Sequence, residues 1–91
     1  MILRDGPNRH AAGADALIEA HGRRIRQLRA DGLLAMLCAV DDDTEVDVIG
    51  IFDLDAKRTR DLMEVDPGVR AGIFDFEVHT VLGHPGDALP D

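Results

Sequence analysis

The stretch that decides the fold is Leu33-Leu34-Ala35-Met36-Leu37-Cys38-Ala39-Val40, then Asp41-Asp42-Asp43-Thr44, then Val46-Asp47-Val48-Ile49-Gly50-Ile51-Phe52-Asp53. The first eight residues are a continuous apolar run, too short and too close to a glycine stop for a helix. They read as a strand covered on both faces, which makes Cys38 a small core residue rather than a nucleophile. The acidic cluster is a polar turn, and the Val/Ile/Phe-rich run after it closes an antiparallel hairpin.

Upstream of the hairpin, residues 14–30 have helical spacing. Leu17, Ile18, His21, Ile25 and Leu28 fall on one inward face, with Glu19, Arg23, Arg26 and Arg29 elsewhere. Asp15 and Glu19 near the start and the arginines near the end complement the helix dipole. Gly32 is the left-handed terminator. Residues 1–4 read as a very short strand, joined to the helix by a turn-rich link. Downstream, Leu54 to Val65 returns to helical spacing, with Ala56, Thr59, Leu62 and Met63 inward. Asp66-Pro67-Gly68 ends it, because the residue before proline is pushed out of helical geometry. Ile73 to Leu82 alternates, with Phe74, Phe76 and Val78 on one side and Asp75, Glu77 and His79 on the other. Residues 83–91 form a Gly/Pro-containing tail. The order β-α-β-β-α-β predicts a ferredoxin-like α+β fold, a four-stranded antiparallel sheet with two helices on one face. A second copy of the chain is the simplest cover for the other face.

Ninety-one residues make one domain, spanning 1–91, and a marginal core that burial against a copy would enlarge. Ten Lys+Arg against 18 Asp+Glu give a net charge of −8, and three Phe are the only aromatics. Both features argue against nucleic acid or an anionic membrane as partner. One cysteine suits a reducing cytoplasm, and no apolar run reaches the ~20 residues of a membrane span.

His21 is the most informative residue, because Leu or Ala would pack better at its place on the apolar stripe. It is either a hydrogen-bonded structural histidine or a proton carrier. Asp66 is either a turn residue before Pro67 or the carboxylate that fixes a histidine's tautomer. Arg24 lies three residues after His21 on the same side, as an anion clamp or the partner of a carboxylate. Asp75, Glu77 and His79 leave one sheet face together. That trio is an ion-pair ladder in preference to a metal site, since metals draw ligands from several elements, and no metal or organic cofactor is expected.

Four segments resemble the YCII-related family of small proteins: Arg4-Asp5-Gly6-Pro7-Asn8; Ala20-His21 with Leu28 and Gly32-Leu33-Leu34; Asp66-Pro67-Gly68-Val69-Arg70-Ala71-Gly72; and Phe76-Glu77-Val78-His79. They occur in the family's order and span most of the chain. Three departures are a very short first strand, Ala39-Val40-Asp41 in place of a Gly-Pro, and Thr80 in place of a proline. The resemblance implies a dimeric α/β barrel, two ferredoxin-like units facing each other sheet to sheet. It also implies an active site of a His-Asp pair, here His21 and Asp66. Arg24, Arg4 and His79 are the candidate substrate-binding residues. The fold leaves open whether His21 and Asp66 touch directly, through water or through substrate. The expected function is cofactor-free proton transfer on a small organic acid or ring compound, of isomerase, lyase, dehalogenase or hydrolase type, in a cytoplasmic homodimer. The alternative is a non-catalytic dimer that binds a small ligand or another protein.

Overall fold

Several helix ends are closed by groups that satisfy their loose backbone donors and acceptors. A computed structural model describes residues 1–88 of the chain. The first strand, β1, is Ile2–Asp5, and the long helix α1 is Ala14–Ala30, where the apolar spacing puts it. Gly32, at φ 81°, closes α1: its N–H donates to the Arg29 carbonyl, and the Leu33 N–H to that of Leu28. This pair of bonds is the Schellman termination, and it needs a residue that tolerates positive φ. The hairpin strands follow as β2, Leu34–Ala39, and β3, Val46–Phe52. Helix α2, Ala56–Glu64, starts on Asp55, whose side chain accepts from the Arg58 N–H at 2.8 Å.

The expected end of the second helix is also a beginning. Asp66-Pro67 stops α2 and starts a third helix, α3, Pro67–Arg70. Proline is poor inside a helix but favoured at its first position, where no N–H is needed. Asp66 caps α3 by accepting from the Gly68 and Val69 N–H groups. The expected two helices are therefore three.

The last strand, β4, is Phe74–Glu77 and stops well short of Leu82. β4 is an edge strand whose one neighbour is β1, and that ladder closes at Ile2↔Glu77. Val78 to Leu82 have little β1 left to pair with. All neighbours are antiparallel and the order is β2-β3-β1-β4, compatible with a ferredoxin-like arrangement. Residues 83–88 of the tail form no helix or strand, and residues 89–91 lie outside the described part.

The core lies between the helices and one sheet face. Leu3, Ile25, Leu28, Leu34, Met63, Ile73 and Phe74 are buried there. Leu17, expected inward, is 37% exposed at the margin of the stripe. The larger correction concerns β2. It is the other edge strand and has helix cover on one side only, so Met36 and Cys38 are exposed. An apolar run can mark an edge strand with an uncovered face as well as a buried centre strand.

Two of the family-like segments meet in the fold. Gly6 N–H donates to the Ile73 carbonyl and Asn8 N–H to that of Gly72, both at 2.8 Å, while Asn8 Nδ2 donates to Ala71 at 2.9 Å. This clamp fastens the link after β1 onto the turn between α3 and β4. A Cβ on Gly6 would overlap the backbone of Gly72, and neither backbone can yield without breaking the clamp. Gly6→Ala is expected to cost about 1–3 kcal/mol by overpacking. In a domain of this size that lowers Tm by at least ~4 °C, measurable by calorimetry; an unchanged Tm would contradict the clamp.

Candidate functional site

His21 and Asp66 are 45 residues apart and in direct contact: His21 Nδ1 lies 2.7 Å from Asp66 Oδ2. The α1 stripe aims His21 inward, and the Asp-Pro turn fixes Asp66 at the head of α3, which packs on α1. Asp66 is fully buried and His21 is 8% exposed. The same Oδ2 that meets the imidazole accepts from Gly68 N–H at 3.0 Å and Val69 N–H at 3.2 Å. Arg24 reaches the other oxygen, with Nη1 donating to Oδ1 at 3.3 Å and Nη2 to the Leu62 carbonyl at 2.6 Å. Arg24 is therefore the partner of a carboxylate and not an open anion clamp.

Burial pushes the Asp66 carboxyl up. The hydrogen bond and charge of His21 oppose it, followed by the Val69 N–H and the Arg24 guanidinium, and together they hold it below the ordinary carboxylate range. An ionised Asp66 can only accept, so the proton between the two side chains belongs to His21 Nδ1. That leaves Nε2 as the imidazole nitrogen available to another molecule, and among the described residues no group bonds it. His21 borders a cavity of about 210 Å³ whose walls include Leu3, Ile25, Leu37 and Val48, with Arg26 also present. A positioned imidazole with one nitrogen fixed, on the border of a small apolar cavity, is suited to taking and returning a proton.

Phe74 fixes the ring from another side, with centroids 4.7 Å apart and a tilt of 41°. Gly68 makes this possible. A Cβ there would stand 2.7 Å from Phe74 Cδ2 and 3.2 Å from Asp66 Oδ2. The Arg9 guanidinium carbon lies 5.5 Å from the centre of the Phe74 ring.

The other two expected substrate-binding residues are elsewhere. Leu3 points into the core, so its strand neighbour Arg4 points to the uncovered face, where it forms an ion pair with Glu77. His79, beyond the end of β4, holds the same carboxylate through Nε2, 2.8 Å from Glu77 Oε2. Arg4, Glu77 and His79 are an ion-pair ladder on the sheet face opposite to the core that holds His21. Asp75, across from Arg4, accepts from the N–H of Phe76. Among the described residues no group of three metal-ligating side chains converges.

Asp5, Arg9 and Asp47 form a cluster that pattern reading misses. Strict alternation sends Asp47 to the same face as Ile49 and Ile51. The register shifts between Leu3 and Arg4, however, leaving Asp47 as an extra residue between Val46 and Val48. A bulge re-aims a side chain, and Asp47 meets Asp5 within the field of Arg9 and His21. Arg9 Nε is 3.3 Å from Asp5 Oδ1. Burial first, then hydrogen bonding to Asp5 and its negative charge, push the Asp47 carboxyl up to about 6, against the lowering influence of Arg9 and His21. No run of residues announces this cluster, since a bulge leaves no mark on hydrophobic period.

Comparison with protein-family models, with curated proteins and with solved structures gives no match to this chain. The likeness to the YCII-related family rests on the four segments alone.

The raised Asp47 carboxyl has a defined consequence for stability. The folded state holds this proton more tightly than the unfolded chain. The stabilisation is complete below the ordinary carboxylate range and is lost as pH rises through about 6. Asp66 acts in the opposite sense and at lower pH, its contribution being lost as pH falls through its depressed value. Asp47→Asn removes the first effect only, so Tm measured from pH 4 to 7 should decline less in the variant than in the wild type. Parallel curves would contradict the half-buried acid pair.

Proposed function

We propose that this chain is a small enzyme in which His21 and Asp66 move a proton on a small organic acid, with no metal or organic cofactor taking part. The observation that carries the reading is the 2.7 Å contact between the buried Asp66 carboxyl and His21 Nδ1, beside a cavity that His21 borders. His21 Nε2 takes a proton from a carbon next to a carbonyl, leaving an enolate and an imidazolium that Asp66 stabilises. The proton then returns to a second carbon in an isomerisation, or a neighbouring group departs in an elimination. A well-placed general base contributes ~10²–10⁴ in rate. Arg24 keeps Asp66 oriented and ionised. The resemblance to the YCII-related family supports the same pair, and the lone cysteine supports a cytoplasmic setting. No described helix is long and apolar enough to cross a membrane.

We further propose that the enzyme works as a homodimer through its uncovered sheet face, as the dimeric-barrel resemblance implies. Met36, Ile49 and Ile51 are 37%, 42% and 38% exposed there, beside exposed Cys38. Contiguous apolar exposure of this kind marks an interaction surface. The alternative, a non-catalytic binding dimer, draws support from a larger cavity of about 350 Å³, walled by Ile2, Ile49, Ile51, Val78 and Val81 and distant from the His-Asp contact.

Proton exchange separates the two readings whatever the product of the full reaction is. In D₂O, with a panel of small keto and unsaturated acids, the wild type should wash deuterium into one carbon beside a carbonyl, followed by ¹H NMR. His21→Asn and Asp66→Asn should each slow the exchange ~10²–10⁴-fold; asparagine at 66 retains an acceptor for the α3 cap. Exchange that is absent, or equal in all three proteins, would contradict catalysis. Sedimentation equilibrium at micromolar concentration should give a dimer that Ile49→Glu converts to monomer. A wild type seen only at 9.9 kDa would contradict the dimer.

A further inference from the structure

The cations along α1 are not equivalent. Arg23 is paired with Glu19 at 3.0 Å, and Arg24 is committed to Asp66 and Leu62. Arg26 has no ion-pair partner among the described residues, yet it borders the cavity next to His21. Gly22 explains the placement. A Cβ at that position would stand 3.3 Å from Arg26 Nη1, so the guanidinium lies back along α1 over the one residue that offers no side chain. That residue adjoins His21 in sequence. A reading by helical face assigns Arg26 to solvent; the missing side chain at Gly22 brings it back to the mouth of the cavity.

The rest of the lining is mainly aliphatic, from Leu3, Ile25, Leu37 and Val48. Such walls cannot solvate a carboxylate, so a charged group on a bound molecule must stay at the rim. The chain carries a net charge of −8 and repels anions at a distance, so an anionic ligand needs a local cation. A guanidinium with unused donors supplies a charge-assisted fork for a carboxylate. Size narrows the class further. A cavity of about 150 Å³ admits a benzene-sized molecule, and drug-sized ligands need about 300 Å³ or more. At about 210 Å³, the occupant is one ring or a chain of similar bulk with a single small polar substituent.

Resting on the proton-transfer reading of His21, we infer that the cavity takes a small monocarboxylate, its apolar body against the aliphatic wall and its carboxylate on Arg26. Arg26 is then the specificity-determining residue. Because its guanidinium lies over Gly22, an anchored carboxylate presents its neighbouring carbons to His21.

Two probes of matched shape test the inference: benzoate and the neutral benzyl alcohol, titrated while the His21 imidazole signals are followed by NMR. Both should shift the His21 signals, with benzoate at least about tenfold tighter, the share expected of one charge-assisted hydrogen-bonding group. Arg26→Gln, at an exposed position, should reduce benzoate to the level of benzyl alcohol and leave the alcohol unchanged. Equal affinity of the two probes for the wild type, or the benzoate preference surviving in Arg26→Gln, would overturn the role of Arg26 and leave the His21 reading standing. If neither probe moves the His21 signals, the cavity is not a ligand site, and the substrate class falls together with the cavity's part in the proposed reaction.

Discussion

One buried carboxylate organises the half of this molecule that holds the candidate site. Asp66 has no exposed surface, and its oxygens accept from an imidazole, a guanidinium and two backbone N–H groups. An unpaired charge at such a place would cost several kcal/mol, so its partners have little freedom to leave. Those partners belong to α1 and α3, and Phe74 of β4 closes the arrangement from the sheet side. The network thus fixes how α1, α3 and the edge of the sheet meet, while it sets the tautomer of His21. The structure and the proposed chemistry share the same bonds, since Asp66 is at once helix cap, ion-pair partner and the carboxylate in contact with His21.

The two faces of the sheet have separate characters. The helix-covered face lies against the helices that hold the imidazole and its carboxylate, and it helps to wall a small apolar cavity. The other carries an aliphatic patch flanked by the Arg4–Glu77–His79 ladder. Period-2 alternation enforces this division, since neighbours on a strand cannot share a face. Arg4 and Leu3 illustrate it: one residue apart, they serve different surfaces.

Much of this was legible in the residues. The limits of α1, the Gly32 stop, the hairpin and the strand sequence follow from apolar period and turn chemistry, and His21 stands out because it is polar on an apolar stripe. What period could not supply is instructive. Asp66-Pro67 reads equally as the end of one helix or the start of the next, and only the backbone donors at Gly68 and Val69 decide. The span of β4 depends on how much β1 is there to pair with it. The exposure of Cys38 depends on β2 being at an edge, which is a property of strand order. Asp47 is turned by a bulge, and Arg26 by the bare backbone at Gly22. Each of these depends on a residue's neighbour in space, which lies beyond the reach of spacing along the chain.

If Asp66 holds the proton on His21 Nδ1, Nε2 is left free to act. Nitrogen-15 NMR of the imidazole, recorded where the ring is neutral, reads the tautomer directly. The expected result is a protonated Nδ1 and an unprotonated Nε2. A ring protonated on Nε2 would contradict it, because the nitrogen assigned to proton traffic would then carry no lone pair to receive one.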